Sequence, residues 1–183
     1  MSSKSSYFKA GVGHILLILL IAGAIAVAFY LKARTQVHAD TLTSNPEADS
    51  YVDSVNTGNN YGTSTQFRVD GSPIVRSYVR FDVASIPSGA AVTKATLKIY
   101  ANSSQSIGFD AYRVADTTWG ETTINYSNAP AFDSAKLGSS GPIAAGSWYS
   151  VDVTSAVVGN GKVSFGLLTT SSTALSKVSL IIP

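Results

Sequence analysis

Three arginines and one tyrosine carry most of the chemistry the sequence offers: Arg68, and the run "RSYVRFDV" from Arg76 to Val83, which contains Arg76, Tyr78 and Arg80. Side chains alternate along an extended chain, so Arg76, Tyr78, Arg80 and Asp82 share one face while Ser77, Val79, Phe81 and Val83 share the other. Guanidinium groups two residues apart stand about 7 Å from each other, and each can fork onto a carboxylate. A tyrosine ring between them offers a flat apolar surface to the C–H face of a sugar. Alternatively, Arg76 and Arg80 pair across the sheet with Asp82, Asp70 or another acid, contacts that are common and stabilise little.

The remaining inventory is thin. The two histidines, His14 and His38, precede Asp40, and the chain has no cysteine. A Ser-His-Asp triad, a Cys-His pair and a zinc site of His or Cys ligands therefore have no residues to use from Asp40 onward. Paired carboxylates, as in glycosidases, survive as an enzymatic option. Their candidates are Asp49, Asp53, Asp70, Asp82, Asp110, Asp116, Glu121, Asp133 and Asp152, most of them beside Asn, Ser or Gly, where Asp caps the backbone. No enzyme is expected. Asp49 and Asp53 supply hard oxygen ligands for a structural calcium, although their spacing fits no EF-hand loop; no other cofactor is expected. Trp119 and Trp148 could be stacking platforms, but "WGETTINY" and "WYSVDV" favour core packing for both, and Glu121 is expected to bond within its own turn.

These residues need a scaffold, and the pattern predicts an all-β one. "KATLKIY" turns Ala95, Leu97 and Ile99 inward and Lys94, Thr96, Lys98 and Tyr100 outward, as in a sheet with one wet side. Further strands are expected at Ser50–Val52, Gln66–Val69, Arg76–Val83, Phe109–Val114, Thr122–Tyr126, Trp148–Val153, Val163–Thr170 and Val178–Ile182. A short helical turn should follow Asp152, with Thr154 as its cap. Strands punctuated by Gly, Ser, Asn and Thr clusters make two packed antiparallel sheets, a β-sandwich covering residues 48–183.

Ahead of it stand a basic segment (1–10), an apolar segment (11–31) and a linker (32–47). The stretch "ILLILLIAGAIAVAFYL" carries no charge and with the residues before it makes a helix of about 30 Å, enough to cross a membrane. It is either a retained anchor or a signal core cut near Ala39, where "VHA" offers a small residue. Either way the following domain is expected outside the cell. Lys4, Lys9, Lys32 and Arg34 all precede Ala39, whereas every Asp and Glu lies at Asp40 or later, so the folded part has no basic stripe and no nucleic-acid partner is expected.

From Ala48 onward the chain resembles the DNRLRE domain family, related to disaggregatase repeats and grouped with carbohydrate-binding module family 96. The resemblance runs through "ADSYVDSVNTGNNYGTSTQFRVDGSP", "VRSYVRFDVASIP", "VTKATLKIYA", "YRVADTTWGETTINYSNAP" and "WYSVDVTSAVVGNGKVSFGL". It implies a jelly-roll-like sandwich in a secreted or surface-bound protein that binds polysaccharide without cleaving it. It further implies an acidic, uronate-containing ligand such as alginate, held on a basic face that Arg68, Arg76 and Arg80 match here. The chain departs from the pattern at Asp70, where a basic residue is often found. It departs again at "SSTALSKVSLIIP", which ends before an expected Arg-Glu pair and last strand. A sheet lacking that strand would expose an edge for self-association, so a structural or adhesive surface protein is the second reading, and a polysaccharide-degrading enzyme the third.

Overall fold

The computed structural model describes Ile25, residues 41–171 and, as backbone, Thr173–Ile182. The chain divides into units Met1–Ala39 and Asp40–Pro183. The expected anchor or signal helix (11–31) lies, Ile25 apart, outside the described residues, and no described helix is long and apolar enough to cross a membrane.

The strands are β1 (Leu42–Ser44), β2 (Ala48–Asp53), β3 (Phe67–Gly71), β4 (Ile74–Val83), β5 (Thr96–Ala101), β6 (Asp110–Val114), β7 (Lys136–Ser139), β8 (Ser147–Asp152), β9 (Gly161–Leu168) and β10 (Thr173–Ile182). All described pairings between them are antiparallel. One sheet runs β2-β4-β9-β6-β7; the other runs β8-β5-β10, with β1 and β3 along the far side of β10. β3 turns the corner between them. Its Asp70 and Gly71 pair with β4, and Phe67–Val69 pair with β10. Where β3 peels away from β4, the Ser77 hydroxyl takes over the ladder, accepting from the Arg68 N–H at 3.0 Å and donating to the Arg68 carbonyl at 2.8 Å.

Alternation builds the core. Val79, Phe81 and Val83 of β4 meet Leu97, Ile99 and Ala101 of β5 between the sheets, and Phe81 packs edge-on against Phe165 at 6.2 Å. Each large apolar side chain taken out of water here contributes about 1.5–3 kcal/mol.

Three expectations are corrected. The linker was expected to reach residue 47, yet Leu42–Ser44 already pairs antiparallel with β10, Leu42 opposite Ile182 and Ser44 opposite Leu180. β10 is an inner strand, with β5 on one side and β3 (at 173–175) and β1 (at 180–182) on the other. Thr122–Tyr126 forms turns rather than a strand, because local bonds satisfy its backbone: Ile124 N–H donates to the Gly120 carbonyl, and Asn128 bonds both Asn125 N–H and the Thr123 carbonyl. The turn after Asp152 is the 3-10 segment Thr154–Ala156. Thr154 is its first residue rather than its cap; the N-cap is Val153, with no side-chain cap bond, and the Asp152 carboxylate before it accepts from both the N–H and the hydroxyl of Thr154.

The segment 115–134, between β6 and β7, lies as a flap on the outer side of the first sheet. Its Trp119 and Ile124 form a second apolar cluster with Ala48, Val52, Tyr78 and Val114, joined by Tyr126, Ala129 and Phe132. Gly166 makes room for it, since a Cβ there would stand 2.1 Å from the Phe132 ring.

Candidate carbohydrate-binding surface

The flap decides the fate of the arginine strand. Arg76, Tyr78 and Arg80 do share the outer face of β4, opposite Val52, Ser50 and Ala48 of β2, but that face is roofed. Tyr78 is 1% exposed, edge-on to both Trp119 and Phe132, and its hydroxyl donates to the Pro130 carbonyl at 2.8 Å. Burial pushes that hydroxyl up to about 12. The expectation that its ring lies open to a sugar is therefore wrong. Arg80 is corrected too: its side chain is 12% exposed, paired with Glu47, donating to the Trp119 carbonyl and lying over the Trp119 ring at 4.9 Å. The acid it meets is Glu47, which Lys162 also grips at 2.8 and 2.9 Å, rather than Asp82 or Asp70. Arg76 is half-buried, its guanidinium 5.7 Å from the Phe132 ring and 5.9 Å from the Tyr126 ring. Nothing in the alternation of "RSYVRFDV" signals a roof, since a flap contributed from some 40 residues downstream leaves no local pattern.

Arg68 keeps its exposure. It sits at the corner strand with 45% of its side chain open, beside the Tyr51 side chain and 3.8 Å from the Asp70 carboxylate. Tyr51 stacks on Tyr61, centroids 4.2 Å apart and planes 13° from parallel. Because Asp70 and Asp53 also neighbour Arg68, the spot has no positive excess.

The expected calcium ligands do not converge. Asp49 and Asp53 stand four residues apart on one strand, about 13 Å by the rise of an extended chain. The Asp53 carboxylate is already taken by the Val55 N–H and the Asn56 amide, which hold it below the usual carboxylate range. Glu121 is another correction: it reaches out of its turn to accept from the Asp49 N–H at 3.1 Å. Burial, together with the nearby Glu121 charge, raises the Asp49 carboxyl to about 6. Among the described residues no group of three or more acids or histidines could hold a metal ion.

The surface that is open lies on the other sheet. β5 and β8 pair Tyr100 with Trp148, Lys98 with Ser150 and Thr96 with Asp152, all on the side away from the core. Trp148 is 48% exposed, and its ring meets Tyr100 edge-on, centroids 5.4 Å apart at 66°. Lys98 is one rung along, with no ion pair to a described residue, and exposed Lys94 follows beyond Thr96. Core packing was the expectation for both tryptophans; it holds for Trp119, 7% exposed and donating through its indole N–H to Ser164, and fails for Trp148. The signal was available. In "WYSVDV" Val151 and Val153 are core positions, and alternation then puts Trp148 with Ser150 and Asp152 on the wet side.

An exposed indole beside a tyrosine and lysines, on the outer face of an antiparallel β-sandwich, offers a sugar ring an apolar seat next to positive charge. Comparison with known families agrees: carbohydrate-binding module family 96 matches residues 40–180, and the chain belongs to that family. None of the curated proteins compared matches it. Among solved structures, the C-terminal CBM6 of LamC, a marine laminarinase from Zobellia galactanivorans, is 12% identical over 79% of this chain and 100% of that one, with a TM-score of 0.31. The CBM22-1–GH10 modules of xylanase 10B from Clostridium thermocellum, solved with xylohexaose, are 10% identical over 80% of this chain and 29% of that one, with a TM-score of 0.34. Likeness at that distance carries no argument about the ligand.

Proposed function

We propose that the domain is a non-catalytic module that binds an acidic, uronate-containing polysaccharide outside the cell, held to the membrane by residues 11–31 or released by cleavage near Ala39. The observation that carries this reading is exposed Trp148, edge-on to half-buried Tyr100, with Lys98 one rung away. The indole gives a sugar ring an apolar seat, and the ammonium groups meet its carboxylates. Family membership supports polysaccharide binding, and the lysines support the acidic class, of which alginate is the member implied by the family resemblance. Arg68, still exposed at the corner strand, stands as a further contact; Arg76, Tyr78 and Arg80 do not. A glycan array with residues 40–183, a compact unit, tests this. Binding to uronate-rich glycans that weakens with added salt and on Trp148→Ala is the expected result; absence of binding to any glycan overturns it.

A further inference from the structure

One rung crosses three strands of the second sheet: Leu175 of β10 stands opposite Ala101 of β5 on one side and Phe67 of β3 on the other. Ala101 and Phe67 both belong to the core. Their neighbours Tyr100 and Arg68 therefore stand on the outer side, as does Trp148, opposite Tyr100 on β8. With strands about 4.8 Å apart and alternate residues about 7 Å apart, Arg68 stands about 12 Å from Tyr100 and about 16 Å from Trp148. The β10 residues opposite Tyr100 and Arg68 are Ser176 and Ala174, both small. At the far end Arg68 lies beside half-buried Tyr51, whose ring stacks on half-buried Tyr61 with centroids 4.2 Å apart. This tyrosine pair belongs to neither apolar cluster, so core packing does not account for it.

We propose that the Tyr51–Tyr61 pair is a second sugar seat of the same site, so that one glycan chain crosses the second sheet from Trp148 to the corner strand and the module holds a run of several sugars. The inference rests on reading the Trp148 face as the glycan site. Two ring platforms fix the line the chain follows. It leaves Trp148 and Tyr100 toward Arg68, oblique to the strands, rather than along β5 and β8, where the outward positions from Lys98 to Asp152 hold no further ring. Lys98 stays beside the first seat and keeps the charge-dependent part of binding there. At the far seat the Asp70 carboxylate, 3.8 Å from Arg68, offsets the guanidinium, so the gain comes from rings packing on the sugar C–H face rather than from charge.

The test is calorimetric titration of the full chain in detergent with mannuronate oligosaccharides of two to eight sugars. Affinity should climb with length until a chain reaches both seats, and then level off. Tyr61→Ala should weaken the octasaccharide about two- to tenfold and leave the disaccharide unchanged, Tyr61→Phe should keep the wild-type affinity at both lengths, and Trp148→Ala should weaken every length. Should Tyr61→Ala alter the melting temperature, the Tyr61 ring resonances of the wild type carry the test, shifted by the octasaccharide and not by the disaccharide. An affinity that does not grow beyond the disaccharide, a Tyr61→Ala octasaccharide affinity equal to wild type, equal Tyr61→Ala losses at every length, or ring resonances that the octasaccharide leaves in place overturns the inference. The polysaccharide reading then stands if Trp148→Ala still weakens binding. Failure of the wild type to bind any length overturns both.

Discussion

Asp49 gives the domain a pH dependence that runs against the usual behaviour of carboxylates. Its carboxyl is raised from 3.8 to about 6, first by burial and then by the neighbouring Glu121 charge. An acid whose folded-state value lies above its unfolded one favours the folded state while protonated and loses that contribution as pH rises through the folded value. Stability should therefore fall between about pH 4 and pH 7 through this residue. The difference of 2.2 between the two values corresponds to a ceiling of about 3 kcal/mol. Asp49 is only partly buried, and solvent screening brings the expectation to about 1–2 kcal/mol. Asp49→Asn removes the charge and keeps the backbone N–H that donates to Glu121. Urea melts of residues 40–183 should show the variant more stable by about 1–2 kcal/mol at pH 7.5 and indistinguishable from wild type at pH 3.5. A stability difference that stays constant across that range, or a variant weaker at pH 7.5, refutes the reasoning.

Three further outcomes follow from the flap and the corner strand. Arg80→Ala strands Glu47 beside Lys162 alone and strips the Trp119 carbonyl and ring of their cation, so a loss of about 2–3 kcal/mol is expected in the same melts, with glycan affinity unchanged. Gly166→Ala drives a methyl into the Phe132 ring, and should cost about 1–3 kcal/mol and loosen the flap, read as faster amide exchange over residues 119–132. Ser77→Ala leaves the Arg68 N–H and carbonyl without their partner at the corner; a cost of about 1–2 kcal/mol in denaturant melts is expected.

Most of the scaffold was legible because strand alternation is local. "KATLKIY", "WYSVDV" and "RSYVRFDV" each show their inward series without help from elsewhere, and each is a strand in register with its neighbours. β1 and β7 were missed: three or four residues with little apolar alternation give no period to detect. The site was less legible. Which of a sandwich's two outer faces is wet depends on what folds over it, and the covering segment 115–134 bonds to itself through Asn125 and Asn128 in a way that looks like any polar loop. Four residues were expected to meet the ligand, and of them Tyr78 and Arg80 instead anchor the flap, whereas Trp148, read as framework, stands in solvent.

One outer face is open at Trp148 and the other is roofed over Tyr78, and one titration compares them. Residues 40–183 are titrated with the tightest uronate-rich glycan from the array, as wild type, Trp148→Ala and Arg76→Ala, each checked for an intact melting transition. The open-face account predicts at least about a tenfold loss for Trp148→Ala and an unchanged affinity for Arg76→Ala. A full-strength Trp148→Ala beside a crippled Arg76→Ala would contradict it.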